Sequence, residues 1–217
     1  MVSKPCHGED AMTPRRGDAL IIVDVQRDFL PGGSLAVPHG DVVVPPINRC
    51  IDALARRGLP IFATRDWHPP AHCSFREQGG PWPPHCVAGS PGAAFADGLH
   101  LNEDVGIVSK ATSPERDAYS AFAGTDLSQR LTAVGALRLF VGGLATDYCV
   151  LLTVTDALAA GFRVVVLRDA VAAVDVQPGD GERAIAQMRE LGALFADSAE
   201  VLASAAAAPQ GEGAARD

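Results

Sequence analysis

Five short apolar runs, at 19–23, 60–63, 106–108, 138–141 and 163–167, constrain this chain more than any other feature. They are nearly continuous in apolar residues and do not alternate with polar ones. That is the pattern of strands covered on both faces in a parallel sheet. Parallel neighbours need long crossover connections, and the stretches between the runs supply them. The segment 48–57 reads as a helix closed by Gly58, at the position where a left-handed residue ends a helix. Pro45 and Pro46 suit its first turn, where a missing N–H costs little. A second helix over 147–160 is closed by Gly161, a third over 181–191 by Gly192, and 193–197 adds a candidate sixth strand. This alternation predicts an α/β fold of three layers, a central, mainly parallel β-sheet flanked by helices.

The 217 residues show no internal repeat and no linker, so one domain is expected over 17–202. The segments 1–16 and 203–217 have low complexity and are expected to be flexible. Against 26 acidic residues stand 18 Lys and Arg, a net charge of −8. This balance excludes nucleic acid, whose phosphates call for clustered cations, and polybasic attachment to a membrane. No apolar run approaches the ~18 residues of a membrane span. The first 18 residues lack the apolar core of a signal peptide, which makes the cytoplasm the expected compartment. Five cysteines, an odd number, then read as reduced thiols rather than a disulfide framework. The segment 67–104, rich in Pro, Gly and His, breaks the rhythm; a loop of that length inside a compact domain is usually functional.

Ligands of open α/β sheets sit beyond the carboxyl ends of the strands. The first run ends in Asp24, the second in Asp66 and His68, and the third in Lys110. The fourth runs through Gly142 and Gly143 to Asp147 and Cys149. Cys149 falls in the first turn of an expected helix, with Thr146 or Asp147 as its N-cap. The positive end of a helix favours a thiolate, and its free N–H groups can receive an oxyanion. A lone cysteine there is as readily a small buried hydrophobe. Asp24 and Lys110 strengthen the chemical reading, because a carboxylate can take the thiol proton while an ammonium stabilises the anion that remains. A plain Asp–Lys ion pair at the sheet edge is the alternative.

Asp66, His68 and His85 form a second constellation. Carboxylate and imidazole suit zinc, iron or manganese, and three protein ligands with positions left open are the catalytic arrangement. Positions i and i+2 on an extended strand share a side, so Asp66 and His68 can reach one ion, with His85 returning from the loop. Pro69 and Pro70 rule out a helical pair between His68 and His72. His72 and Glu77 both lie within plausible reach as further ligands. Loop histidines without a metal are the bland reading.

The stretches DVQRDFLPGGSLAV (24–37), ATRDWHPPAHCSF (63–75), WPPHCVAGSPGA (82–93), KATSPERDAYSAF (110–122) and GLATDYCV (143–150) carry a resemblance. In this order the chain resembles the nicotinamidase/pyrazinamidase family of the isochorismatase-like cysteine hydrolases, over about 19–198. The resemblance implies metal-dependent deamidation of nicotinamide to nicotinate and ammonia through a thioester, with pyrazinamide as a further substrate, in NAD salvage. It assigns Asp24, Lys110 and Cys149 as the catalytic triad and Asp66, His68 and His85 as ligands of one divalent ion, zinc before iron or manganese. It places a cis peptide at Leu144–Ala145, with the N–H groups of Ala145 and Cys149 as the oxyanion hole, and Phe29, Trp82 and Tyr119 around the substrate ring. Isochorismatases and carbamoyl-amide hydrolases share the triad but generally lack the Asp-x-His…His set. The alternatives are an amidase for another small amide and a non-catalytic metal-binding relative. The family varies in assembly, which leaves a homo-oligomer open.

Overall fold

A computed structural model describes residues 12–207. The six strands are β1 (Asp18–Val23), β2 (Ile61–Asp66), β3 (Gly106–Lys110), β4 (Arg138–Leu144), β5 (Arg163–Ala172) and β6 (Leu194–Ala196). They form one sheet in the order β3-β2-β1-β4-β5-β6, and every pairing is parallel. The helices are α1 (Val44–Ala55), α2 (Leu127–Ala133), α3 (Leu151–Ala159), α4 (Asp180–Glu190) and α5 (Ser198–Ala207).

The near-continuous apolar runs of the central strands have the cause inferred for them, while the run at 106–108 forms the partly exposed edge strand β3. All six residues of β1 are buried, Leu20 and Ile22 in one core cluster, Ala19, Ile21 and Val23 in the other. The first cluster takes in Ile47, Ile51 and Leu54 of α1 and Val201 of α5. The second takes in Leu127 and Leu131 of α2, Val154 of α3 and Met188 of α4. The sheet is thus the middle of three layers. Each large side chain removed from water on either face contributes roughly 1.5–3 kcal/mol, before conformational entropy opposes it.

Gly58, Gly161 and Gly192 all adopt left-handed backbone after their helices, with φ of 65°, 89° and 101°. The first helix begins earlier than the sequence reading placed it, at Val44, and carries both prolines in its opening turn. Helices α2 and α5 were not anticipated, and α5 continues to Ala207, five residues into the tail expected to be flexible. Residues 1–11 and 208–217, most of the two expected flexible termini, lie outside the described residues. The long segment after β2 is stitched to the body by isolated bridges His68–Val87, Phe75–Trp82 and Gln26–Phe95. Among the described residues no helix is long and apolar enough to cross a membrane.

Strand order reverses direction between β1 and β4, since the chain moves from β1 outward through β2 to β3, then returns to β4 and moves out the other way. A crevice opens at the carboxyl ends of the strands at such a switch point. Asp24 follows β1 and Cys149 follows β4, so both sit at its rim.

Candidate active site

The polypeptide leaves β1 sharply, with Asp24 in left-handed backbone at φ 49°. The side chain is fully buried, and Thr64 of β2 fixes it by donating its hydroxyl to Asp24 Oδ1 at 2.7 Å. The other oxygen, Oδ2, lies 2.9 Å from Lys110 Nζ but off the angle of a hydrogen bond, and it accepts none among the described residues. Lys110 ends β3 and reaches across β2 to get there; in the strand register it stands beside Asp66, with which it also pairs. Its ammonium donates to the carbonyl of Ala118 at 3.1 Å and to Cys149 Sγ at 3.4 Å. Asp24, Lys110 and Cys149 therefore meet in one buried cluster.

Burial pushes the Asp24 carboxyl above its usual range, with the Lys110 ammonium opposing. Burial works against the charge of Lys110 too, yet the carboxylates of Asp24 and Asp66 outweigh it and hold the amine protonated well above its ordinary range. For Cys149 burial again leads, driving the thiol well up; Lys110 opposes, while Asp24 and Asp66 add to the rise. With its thiol raised in this way, the sulfur calls for a base to become a nucleophile.

Cys149 sits in a π-helical turn, Thr146–Val150, that leads into α3. The residue before the turn is Ala145, and neither Thr146 nor Asp147 caps it through a side chain. Asp147 instead accepts from the backbone N–H groups of Val174 and Asp175, at 3.0 and 2.9 Å, and ties the chain after β5 to the turn. The peptide Leu144–Ala145 is cis, as the sequence resemblance implied. Gly143 makes the approach to the turn possible: its φ is 127°, and a Cβ there would overlap the carbonyl oxygen of Val23.

Asp66, His68 and His85 are all buried, and each offers a ligand atom within 4.8 Å of the others. Gln26 clamps the backbone of Asp66 from both sides, accepting from its N–H at 2.7 Å and donating to its carbonyl at 2.8 Å. Nδ1 of His68 lies 3.0 Å from the carbonyl of His85, and Nδ1 of His85 lies 2.8 Å from the carbonyl of Pro83. A carbonyl only accepts, so both Nδ1 atoms carry the proton, and both Nε2 lone pairs remain for an ion. Burial pushes His68 down to about 3 and lowers His85 as well, which keeps both rings in the neutral, ligating form. The donor set fits a divalent ion of the zinc, iron or manganese kind.

His72 belongs to a second ligand-type group, with His68 and the exposed Asp117, while its Nε2 faces the carbonyl of Arg116 at 3.1 Å and its Nδ1 the hydroxyl of Ser74 at 2.7 Å. Glu77 is exposed on the turn Arg76–Gln78 and belongs to none of the ligand-type clusters of the described residues.

A cavity of about 40 Å³ is lined by residues of both groups, Asp66 and His85 of the one and Cys149 of the other, with Ala145 beside it. Phe29, Trp82 and Tyr119 are among its lining residues, and Trp82 Nε1 donates to the Tyr119 hydroxyl at 2.9 Å. Tyr148, Leu35, Val37 and Val174 complete the wall, and none of these was anticipated. Tyr148 packs edge-on against Trp82 with ring centroids 5.2 Å apart. Its place immediately before Cys149, on the turn that leaves β4, is the one signal that could have found it.

The isochorismatase domain matches residues 18–200. The chain belongs to the isochorismatase family. Among curated relatives it is 40% identical over 205 residues to the nicotinamidase of Escherichia coli, covering 85% of this chain and 95% of that protein. The pyrazinamidase of Pyrococcus horikoshii, solved in complex with zinc, superposes with a TM-score of 0.80 at 50% identity and covers 83% of this chain and 99% of its own. PnC1 from L. infantum, solved in complex with nicotinate, gives a TM-score of 0.81 at 41% identity, over 87% of this chain and 96% of its own. Within the isochorismatase family the chain thus groups with nicotinamidases and pyrazinamidases, and it is an amidohydrolase.

Proposed function

We propose that the protein is a cytoplasmic nicotinamidase that releases ammonia from nicotinamide, and from pyrazinamide, in NAD salvage. One observation carries this reading: Cys149, which meets Lys110 in the buried cluster, and Asp66 and His85 of the ligand trio line the same aromatic-walled cavity. An amide at one wall and a ring nitrogen at the other match the two ends of nicotinamide. Asp66, His68 and His85 would hold a divalent ion, which would supply Lewis-acid chemistry at the end of the cavity that receives the ring nitrogen. The complete trio favours a pyridine or pyrazine amide over the carbamoyl amides of relatives that share only the triad.

The chemistry then falls to the chain itself. Asp24, whose Oδ2 accepts no hydrogen bond, takes the proton of the Cys149 thiol. The sulfur attacks the carbonyl carbon, and the N–H groups of Ala145 and Cys149 receive the oxyanion, each worth ~3–4 kcal/mol to the transition state. Asp24 returns its proton to the departing ammonia, then activates the water that hydrolyses the thioester. Lys110 stays protonated throughout and balances the charge as the proton moves.

The deciding experiment measures ammonia from nicotinamide, pyrazinamide and a carbamoyl amide, with and without a chelator, for wild type and Cys149→Ala. Turnover of the two ring amides, lost on chelation and in Cys149→Ala, is expected. Preference for the carbamoyl amide would overturn the substrate class, and full activity of Cys149→Ala the nucleophile.

A further inference from the structure

One carboxylate beside the cavity has no part in the chemistry above. Asp28 lies in the turn Arg27–Phe29. Its Oδ1 accepts from the N–H of Ser34 at 3.2 Å and from the Ser34 hydroxyl at 2.7 Å; its Oδ2 accepts from the N–H of Cys86 at 2.7 Å. The last bond reaches the metal trio. That N–H belongs to the peptide joining His85 to Cys86, and the carbonyl of the same peptide takes the Nδ1 proton of His68 at 3.0 Å. A single peptide plane therefore has a carboxylate on its donor side and an imidazole on its acceptor side. A charged acceptor on the N–H polarises the amide and strengthens its carbonyl as an acceptor in turn.

The surroundings hold this arrangement in place. The His68 N–H donates to the Cys86 carbonyl at 3.0 Å, and the Ala88 N–H to the His68 carbonyl at 2.8 Å. Cys86 itself has left-handed backbone, φ 45°, which a residue with a side chain keeps only where its neighbours impose it. Gly92 forms one wall of the slot, and a Cβ there would overlap the Asp28 carboxylate.

We infer that Asp28 is a positioning residue for the metal site: through the His85–Cys86 peptide it fixes the Nδ1–H tautomer of His68 and the backbone of His85. The inference rests on Asp66, His68 and His85 being the ligands. It differs from a plain loop tether, which would act through Ser34 and leave the imidazoles alone.

Zinc affinity, read by competition with a chromophoric chelator, separates the two for wild type, Asp28→Asn and Ser34→Ala. An asparagine keeps the size but turns an NH2 towards one set of N–H donors. Asp28→Asn is expected to lower zinc affinity about 10–100-fold, the range for loss of an outer-shell partner. Ser34→Ala, which removes a bond only from the other oxygen, should leave it near wild type. Long-range nitrogen–proton NMR of the histidines should give a pure Nδ1–H tautomer for His68 in wild type and a mixture in Asp28→Asn. Wild-type affinity in Asp28→Asn, or equal losses in both variants, would overturn the inference. Should Asp28→Asn fail to fold, the wild type alone decides: the Cys86 amide proton must shift when zinc binds, and an unmoved resonance refutes the coupling. Failure of the wild type to bind zinc would instead remove the ligand assignment itself.

Discussion

The state of Cys149 sets how the site works. Its thiol is held protonated at neutral pH by burial first, then by Asp24 and Asp66, with Lys110 opposing. A raised thiol pKa means that the reactive thiolate fraction grows only as pH climbs. Inactivation by iodoacetamide is therefore expected to accelerate through the alkaline range; a rate already level below pH 7 would indicate a pre-formed ion pair and sink this account. At the other side of the cavity, His85→Ala should cost most of the bound metal and raise KM for nicotinamide, read by metal analysis and steady-state kinetics. Unchanged metal content would mean that His85 is no ligand. Asp24, Asp66, Lys110 and Cys149 were legible because each stands at or just beyond the end of an apolar run, whereas His85 was marked only by its place in a long loop rich in Pro, Gly and His. The cavity wall was not. Leu35, Val37 and Val174 are ordinary apolar residues, and only three-dimensional folding tells a wall from a core.

At the scale of elements, the strands were legible and the helix ends less so. Identity of the central strands β1 and β4 follows from burial on both faces, which the residue types record directly; the edge strands β3 and β6 are only partly buried. Helix α1 begins at Val44 because two prolines tolerate an opening turn, so the pattern does not mark the boundary. The short α2 spans Leu127–Ala133 and buries only Leu127 and Leu131, too few for a periodic signal. The cap of the nucleophile turn was misread for a different reason: Asp147 has a better use in holding Val174 and Asp175. The element that tolerates least is the end of β4. Gly143→Ala meets both a positive φ and the backbone of Val23, with no flexible side chain to yield. Its cost is expected at roughly 3–5 kcal/mol, measured by denaturant unfolding, with activity lost in parallel. A shift below about 0.5 kcal/mol, the size of an ordinary surface change, would mean that the β1–β4 approach is looser than described.

For the whole molecule, a metal bound by residues from β2 and the loop beyond it should stabilise the fold by mass action. Zinc at a hundred times its dissociation constant contributes about 2.7 kcal/mol, or roughly 5–10 °C in Tm for a domain of this size. Calorimetry with and without chelator tests this, and an unchanged Tm at saturating zinc would contradict it. The sheet order has a kinetic consequence as well. Central β1 pairs on one side with β4, and Asp18 finds Arg138 across a separation of 120 residues. Contacts that distant form late, because the loop between them must close before any pairing rewards it. During synthesis, β1 waits with one edge unpaired until residues 138–144 emerge from the ribosome, an interval in which a bare strand edge can recruit another chain. A chain truncated before that point already carries Asp24 and Lys110 but lacks Cys149. The proposed active centre is thus completed in the same event that closes the middle of the sheet.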